Sequence, residues 1–154
     1  LPSRISYVGF SSGEVLRLAD GLELPTTPLN HPNGATGYRF HHRGRRVCYL
    51  CDCEHTEPWP DPVLTRFVQD ADLVIYDGMF SETEYTYCSG WGHSTWQHGV
   101  SLCRAAGAAA LAVIHLHPQH DDVYLRAMEQ DMKAVMPSAF IAREGQTVTF
   151  EPKA

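Results

Sequence analysis

The N-terminal third of the chain carries short runs in which apolar and polar residues alternate, a pattern typical of half-buried β-strands. The runs predict a strand over 5–10, a hairpin of 14–19 and 22–27, and a second hairpin of 37–41 and 45–51. The first hairpin is expected to turn at Asp20-Gly21. Pro25 and Pro28 predict that its second arm lies at a sheet edge or soon leaves the sheet.

From residue 54 onward, apolar positions recur at helical spacing between short apolar runs. Helices are expected to begin at Asp61-Pro62, at Ser94 with Gln97 in a capping box, and at Asp121 or Asp122. Strands are expected over 73–76 and 111–114, followed by a terminal hairpin of 138–142 and 147–151. Because a helix separates the two strands, they should be parallel in a βαβ unit. The pattern therefore predicts an α/β fold.

The length of 154 residues suits one domain over 1–154, and the hydrophobic content of 44% suffices for a core. No apolar run approaches the ~20 residues that cross a bilayer, and no signal-peptide pattern opens the chain. We therefore expect no membrane contact. The first residue is Leu rather than Met, which predicts a processed or cut chain, or a piece of a longer protein.

The net charge of −6 argues against a large nucleic-acid footprint, because phosphate binders usually present a basic face. One basic cluster falls near the turn of the second hairpin, and we interpret it as a solvated turn; it consists of Arg39, Arg43, Arg45 and Arg46.

The five cysteines are an odd number without secretory context, which indicates a reducing cytoplasm rather than a disulfide framework. Cys48, Cys51 and Cys53 have the spacing of a zinc knuckle, but side chains alternate between the faces of a strand. Cys48 and Asp52 should then share one face, and Cys51 and Cys53 the other. We interpret these cysteines as small buried hydrophobic residues.

Residues that bind metals well follow three predicted strands at the C-terminal end of each. Asp52 follows the strand 45–51, Asp77 follows 73–76, and His115 follows 111–114. In open α/β sheets, ligands bind beyond the carboxyl ends of the strands. The sequence therefore predicts a site at this edge, to which we add His31 in a predicted turn and His93 before a helix.

Imidazole and carboxylate ligands together suit zinc, or manganese and iron in an octahedral setting. The two oxygens of Asp52 are able to bridge two metals, and a metal pair assists hydrolytic displacement. His93 precedes a helix N-terminus, where it can contact a phosphate oxygen or protonate a leaving group. Asp77 is expected to orient His93 or a ligand histidine, unless it is a simple strand-end cap.

The other histidines receive less specific interpretations. His41 and His42 are expected to be solvated, and His98 to face outward from its helix. His55 is interpreted as a loop residue. For His117 and His120, loop structure and an outer shell of the site both remain open.

Four segments together resemble the C-terminal half of a metallo-β-lactamase-fold hydrolase, of the branch that contains the ribonuclease Z-like phosphodiesterases. His31-Pro32-Asn33-Gly34 resembles the family's single-His motif, and Tyr49-Leu50-Cys51-Asp52 its bridging-Asp motif. Gly92-His93-Ser94-Thr95 resembles its His-Ser-Thr loop, and Ala112-Val113-Ile114-His115 its last His motif. Asp77-Gly78-Met79-Phe80 stands where that branch often has Glu-Ala-Thr-Phe. The resemblance covers roughly residues 28 to 123.

The resemblance implies half of an αββα sandwich, a mixed sheet with helices on one face. It implies a dinuclear zinc site with His31 on one metal, His115 on the other and Asp52 bridging both. It also implies a metal-bound hydroxide as nucleophile and His93 at the scissile phosphate. The family's opening motif, His-x-His-x-Asp-His, does not occur in this sequence. We therefore expect a fragment that forms a homodimer or associates with the missing N-terminal half.

Three hypotheses for the function remain open. The first is a metal-dependent hydrolase, most simply a phosphodiesterase acting on a small or phosphodiester substrate. The second is a non-catalytic interaction or dimerisation module. The third is an RNA-processing endonuclease like ribonuclease Z, which the acidic charge disfavours.

Overall fold

The computed structural model describes residues 5–18 and 21–151. Within them the chain forms one mixed sheet in which the strands follow each other in sequence order from β1 to β7. The strands are β1 (Val15–Arg17), β2 (Glu23–Leu29), β3 (Ala35–His42), β4 (Arg45–Leu50), β5 (Leu73–Asp77), β6 (Leu111–Ile114) and β7 (Ala139–Ile141). The helices are α1 (Pro62–Phe67), α2 (Glu82–Cys88), α3 (Trp96–Ala106) and α4 (Asp122–Val135).

The first four strands are antiparallel neighbours, and the last four are parallel. The α/β class and the mixed sheet are confirmed, as is the parallel pairing of β5 with β6 across α3. Because β4, β5 and β6 run in the same direction, their carboxyl ends meet at one edge of the sheet.

The core lies between one face of the sheet and the helices α1, α3 and α4. Two rows of buried side chains cross the sheet on this face, namely Cys48, Val74, Leu111 and Ala139, and Leu50, Tyr76, Val113 and Ile141. The helices pack on these rows with Leu64, Val68, Val100, Cys103, Met128 and Met132. Helices therefore cover one face, as expected.

The opposite face carries a second row of mostly apolar side chains that the described helices leave partly open. It runs from Tyr49 through Ile75 and Ala112 to Phe140 in register. Tyr49 is 36% exposed. Association through this face stays a prediction.

The helix termini follow ordinary capping chemistry. The side chain of Asp61 accepts hydrogen bonds from Val63 and Leu64, and Pro62 occupies the first turn of α1. Asp121 caps α4 in the same way, and Gly107 ends α3 in the left-handed conformation. These three predictions are confirmed.

Several predictions about elements are wrong. Residues 5–10 form no strand and are exposed. Residues 147–151 form no second arm of a hairpin, and β7 pairs with β6 in parallel. β2 is not an edge strand, since it pairs with β1 and with β3. The N-cap of α3 is Thr95 rather than Ser94. Asp20, the expected turn residue, lies outside the described residues.

No helix within the described part of the chain is both long and apolar enough to span a membrane.

Candidate metal and phosphate site

The site lies at the carboxyl ends of β4, β5 and β6, where the backbone turns sharply. Asp52 and His115 follow the ends of β4 and β6 with φ of 57° and 56°. This left-handed region costs a non-glycine residue about 1–3 kcal/mol. The turns aim both side chains across the end of β5, which lies between the two strands.

Asp52 and His115 contact each other directly. Nδ1 of His115 lies 3.0 Å from Oδ1 of Asp52 and 3.1 Å from Sγ of Cys51. The Cys51 sulfur is also 3.4 Å from Oδ1 of Asp52. Burial, together with the nearby Asp52 carboxylate, raises the pKa of the Cys51 thiol to about 11. In the absence of a metal, Cys51 is therefore a neutral thiol at pH 7.

Cys51 is a neighbour of the site that sequence reasoning missed. Strand alternation placed it on the face opposite Asp52. β4 ends at Leu50, however, and the left-handed turn at Asp52 breaks the alternation. Both side chains therefore reach His115.

Asp77 forms the buried base of the site. Its side chain is fully buried and its Oδ2 lies 2.7 Å from Nδ1 of His93. The backbone N–H groups of Cys53 and Met79 donate to the same carboxylate, at 3.3 and 3.1 Å. These contacts fix the orientation of the His93 ring and leave its Nε2 available.

His31 completes the group from the turn between β2 and β3. Its ring centroid lies 5.7 Å from that of His93, and the His93 ring lies 4.6 Å from that of His115. The five predicted site residues, His31, Asp52, Asp77, His93 and His115, therefore gather at one edge of the sheet.

Glu54 holds the loop that carries His93, and sequence reasoning did not identify it. The residue is 6% exposed, and its carboxylate accepts hydrogen bonds from the N–H groups of Gly90 (2.7 Å) and Gly92 (2.9 Å) and from the hydroxyl of Tyr85 (2.7 Å). Burial would raise the pKa of Glu54, but these donors outweigh it and lower the pKa. The Glu54 N–H donates to Asn30, at 2.9 Å. One residue thus joins the loop to the turn that carries His31.

A second polar network lies beneath the site. His55 is buried, its Nδ1 lies 3.0 Å from the Ser94 hydroxyl, and its ring stacks on His98 at 3.3 Å. The Tyr76 hydroxyl also donates to Ser94. The expectation that His98 faces outward is therefore wrong. Burial, together with His55, lowers its pKa to about 4, so the ring is neutral.

His117 and His120 lie in the loop after β6. They join Glu84 of α2 in a separate cluster. The buried ring of Phe80 lies 6.0 Å from the rings of both His93 and His117.

The donor atoms at the sheet edge fit divalent metal ions. Cys51, Asp52, Asp77 and His115 each offer one ligand atom, and these atoms lie within 4.8 Å of one another. Nitrogen, sulfur and carboxylate oxygen are the donors that zinc prefers in proteins. The two donors nearest solvent, Asp52 and His115, are only partly covered, with side-chain exposures of 42% and 34%. An ion can therefore reach them.

Comparison with known proteins agrees with this arrangement. A family model described as "Beta-lactamase superfamily domain" matches residues 2–116, which is more than half of the chain. A ribonuclease Z of Gemmatimonas aurantiaca is 29% identical over 136 residues, covering 88% of this chain and 39% of that protein. The chain thus spans less than half the length of that relative.

Solved structures share the fold. The metallo-β-lactamase fold protein YhfI of Bacillus subtilis superimposes with a TM-score of 0.73 at 21% identity, covering 90% of this chain and 52% of that one. The short form of human tRNase Z superimposes with a TM-score of 0.67 at 18% identity, covering 88% and 46%. Taken together, the family match, the mixed sheet and the polar groups at its edge show that this chain belongs to the metallo-β-lactamase superfamily.

Proposed function

We propose that this chain contributes to a metal-dependent phosphodiesterase and supplies part of its metal ligands together with the group that meets the scissile phosphate. The observation that carries the proposal is the meeting of Asp52 and His115 at 3.0 Å beside the buried Asp77–His93 pair. Two types of metal ligand, imidazole and carboxylate, and a phosphate-contacting histidine then share one edge of the sheet.

His31, Asp52 and His115 would hold the metal at this edge of the sheet. When bound, divalent ions supply positive charge, which acidifies water and offsets the charge that develops on a phosphodiester. The protein positions its ligands before any ion arrives, because the turns at Asp52 and His115 already direct both side chains over β5. This preorganisation lowers the cost of collecting the ligands.

His93 would act at the phosphate. Since its Nδ1 faces the Asp77 carboxylate, Nε2 is the nitrogen that can donate a hydrogen bond or a proton to a phosphodiester oxygen. A proton given by Nε2 to the departing oxygen neutralises that oxygen as its bond to phosphorus breaks. Asp77 holds the ring in this orientation and does not itself touch the substrate.

The test is the Asp52→Ala variant of the protein expressed from its complete coding sequence. We expect the variant to lose bound metal, measured by mass spectrometry of the purified protein. Hydrolysis of bis(p-nitrophenyl) phosphate should fall by at least about 10³-fold, because the bound metal loses a carboxylate ligand. Asp131→Ala is the matched control, since Asp131 is an exposed aspartate on α4. A variant at position 52 that kept its metals and its turnover would refute the proposal.

RNA processing is the second candidate, favoured by the similarity to proteins named ribonuclease Z. The net charge of −6 and the engagement of the basic cluster weigh against it. Arg45 pairs with Asp72 at 2.7 Å, so that guanidinium is already partly neutralised. The same preparation assayed with a precursor tRNA decides between the two. Cleavage that weakens steeply with salt would favour RNA, because a phosphate backbone releases counterions on binding.

A further inference from the structure

We propose that Glu84, His117 and His120 form a second divalent-metal site, distinct from the group around Asp52. Two imidazoles and one carboxylate converge there, with ligand atoms within 4.8 Å of one another. Nε2 of His120 lies 2.9 and 3.1 Å from the two oxygens of Glu84. The site would take zinc or another first-row divalent ion, because these donors suit such metals. The inference does not depend on the proposed function.

Glu84 is held in place before any ion binds. It lies in the first turn of α2, where Ser81 donates both its N–H and its hydroxyl to Oε2 in a capping box. Burial would raise the pKa of Glu84, but the hydrogen bonds from Ser81 and His120 outweigh it and bring the pKa to about 2. The side chain is therefore a carboxylate at neutral pH. It is 37% exposed, which leaves a path for an ion.

His120 is held as firmly. Its side chain is 6% exposed, and its ring stacks on Tyr124 with a centroid distance of 4.0 Å. Its Nδ1 is buried and has no hydrogen-bond partner among the residues that the structure describes. The nitrogen that faces Glu84, and would meet an ion there, is Nε2.

His117 is the third member of the cluster. Its Nδ1 accepts a hydrogen bond from the Gln119 N–H at 3.2 Å, so Nε2 is its candidate ligand atom. Glu84 and His120 contact each other without any help from His117. The His117 ring nevertheless lies close to them, 5.3 Å from that of His120. The His120 N–H also donates to the His117 carbonyl at 2.9 Å, which fixes their spacing. Tetrahedral zinc requires ligand atoms about 3.3 Å apart. Small side-chain rotations therefore bring these three donors onto one ion.

The location gives such an ion a structural consequence. It would join the start of α2 to the loop that follows β6, and that loop begins at His115. The buried Phe80 ring lies 6.0 Å from the ring of His117 and 6.0 Å from that of His93 in the first group. Metal at the second site would therefore stabilise the segment from which His115 projects.

The experiment measures how many metal ions the protein binds and does not measure activity. The protein expressed from its complete coding sequence is stripped with chelator and titrated with Co²⁺ and Zn²⁺, and the wild type is compared with His117→Ala, Asp52→Ala and the double variant. His117→Ala leaves the contact between Glu84 and His120 in place. His41→Ala, at an exposed histidine of β3, is the matched control.

We expect His117→Ala to bind one ion fewer per chain than the wild type, or to bind it at least about 10-fold more weakly, while the control matches the wild type. Asp52→Ala should retain this ion, and the double variant should lose it. An unchanged ion count and affinity in His117→Ala would overturn the inference, as would loss of all metal in Asp52→Ala. Because the proposed function concerns Asp52 and this inference concerns His117, either can fail while the other stands.

Discussion

Replacing Gly92 by alanine tests whether the loop before α3 is shaped to fit against His31. Gly92 has a φ of +93°, and a Cβ built there would lie 2.1 Å from Cδ2 of His31 and 2.7 Å from Cδ of Pro32. Gly90 provides a matched control within the same loop. It has a φ of +89°, a Cβ there would meet nothing within 4 Å, and its N–H donates to Glu54 just as that of Gly92 does.

Both substitutions strain the backbone at positive φ, but only the one at Gly92 also creates a steric clash. Alanine at positive φ costs about 1–3 kcal/mol at either position. Nonbonded carbons settle about 3.5–4.0 Å apart, so a Cβ at Gly92 would require the His31 ring or the loop to move by more than about 1 Å. Such overpacking costs a further 1–3 kcal/mol, roughly. Gly92→Ala should therefore lower the free energy of unfolding by about 1–3 kcal/mol more than Gly90→Ala.

Equilibrium denaturation of both variants in chelator measures this difference without any metal. A zinc titration against a competing dye then measures the second consequence. If His31 is a ligand, zinc affinity falls in Gly92→Ala and stays near the wild-type value in Gly90→Ala. Equal stability of the two variants would refute the argument from close approach. Equal zinc affinity would refute the assignment of His31 to a metal.

Two further predictions concern buried carboxylates. Glu54→Gln places an amide NH₂ group against a backbone N–H donor. We therefore expect the free energy of unfolding to fall by about 1–3 kcal/mol and the Gly92 amide to exchange its hydrogen faster. Unchanged exchange would contradict the role of Glu54 in holding the loop. Hydrogen bonding to Arg143 lowers the pKa of Glu129 to about 2 from 4.5. The folded-state pKa is depressed, so this stabilisation is present above about pH 4.5 and disappears as the pH falls toward 2. We expect Glu129→Gln to reduce the acid sensitivity of unfolding in that window by up to about 3 kcal/mol, and acid titrations that coincide for the two proteins would contradict this.

The strand ends were predictable because the information is local. Apolar runs fix β5 and β6, and the residue after each run falls at the carboxyl edge whatever the rest of the chain does. Capping by Asp61 and Asp121 was predictable for the same reason, since a cap acts within one helical turn.

Helix α2 was missed because it has no buried residue and hence no apolar period to detect. The strand predicted over 5–10 is the opposite case, a pattern without the element. Its residues are apolar enough, but the segment is exposed and pairs with no neighbour within the described residues. Strands need partners, and an alternating pattern does not supply one.

Glu54 and Cys51 were missed for different physical reasons. Glu54 acts through backbone amides that lie more than thirty positions away in the sequence, and no local pattern encodes such partners. Cys51 was missed because the alternation of faces along β4 was assumed to continue past Leu50, where the strand ends. The positive φ of Asp52 turns the backbone there, so side chains after Leu50 no longer alternate between faces.

The burial of the four polar groups divides the site into a fixed part and an adaptable part. The side chains of Asp77 and His93 are 0% and 14% exposed, whereas those of Asp52 and His115 are 42% and 34% exposed. A buried pair within 2.7 Å, supported by backbone donors, has little freedom to shift. The open pair stands on two strained turns and can adjust its distance as ligands arrive. If the site acts on phosphodiesters, the residue with the most precisely fixed position is therefore His93, because Asp77 holds its ring. Variation in which metal binds would then alter the open pair while the orientation of His93 stays the same.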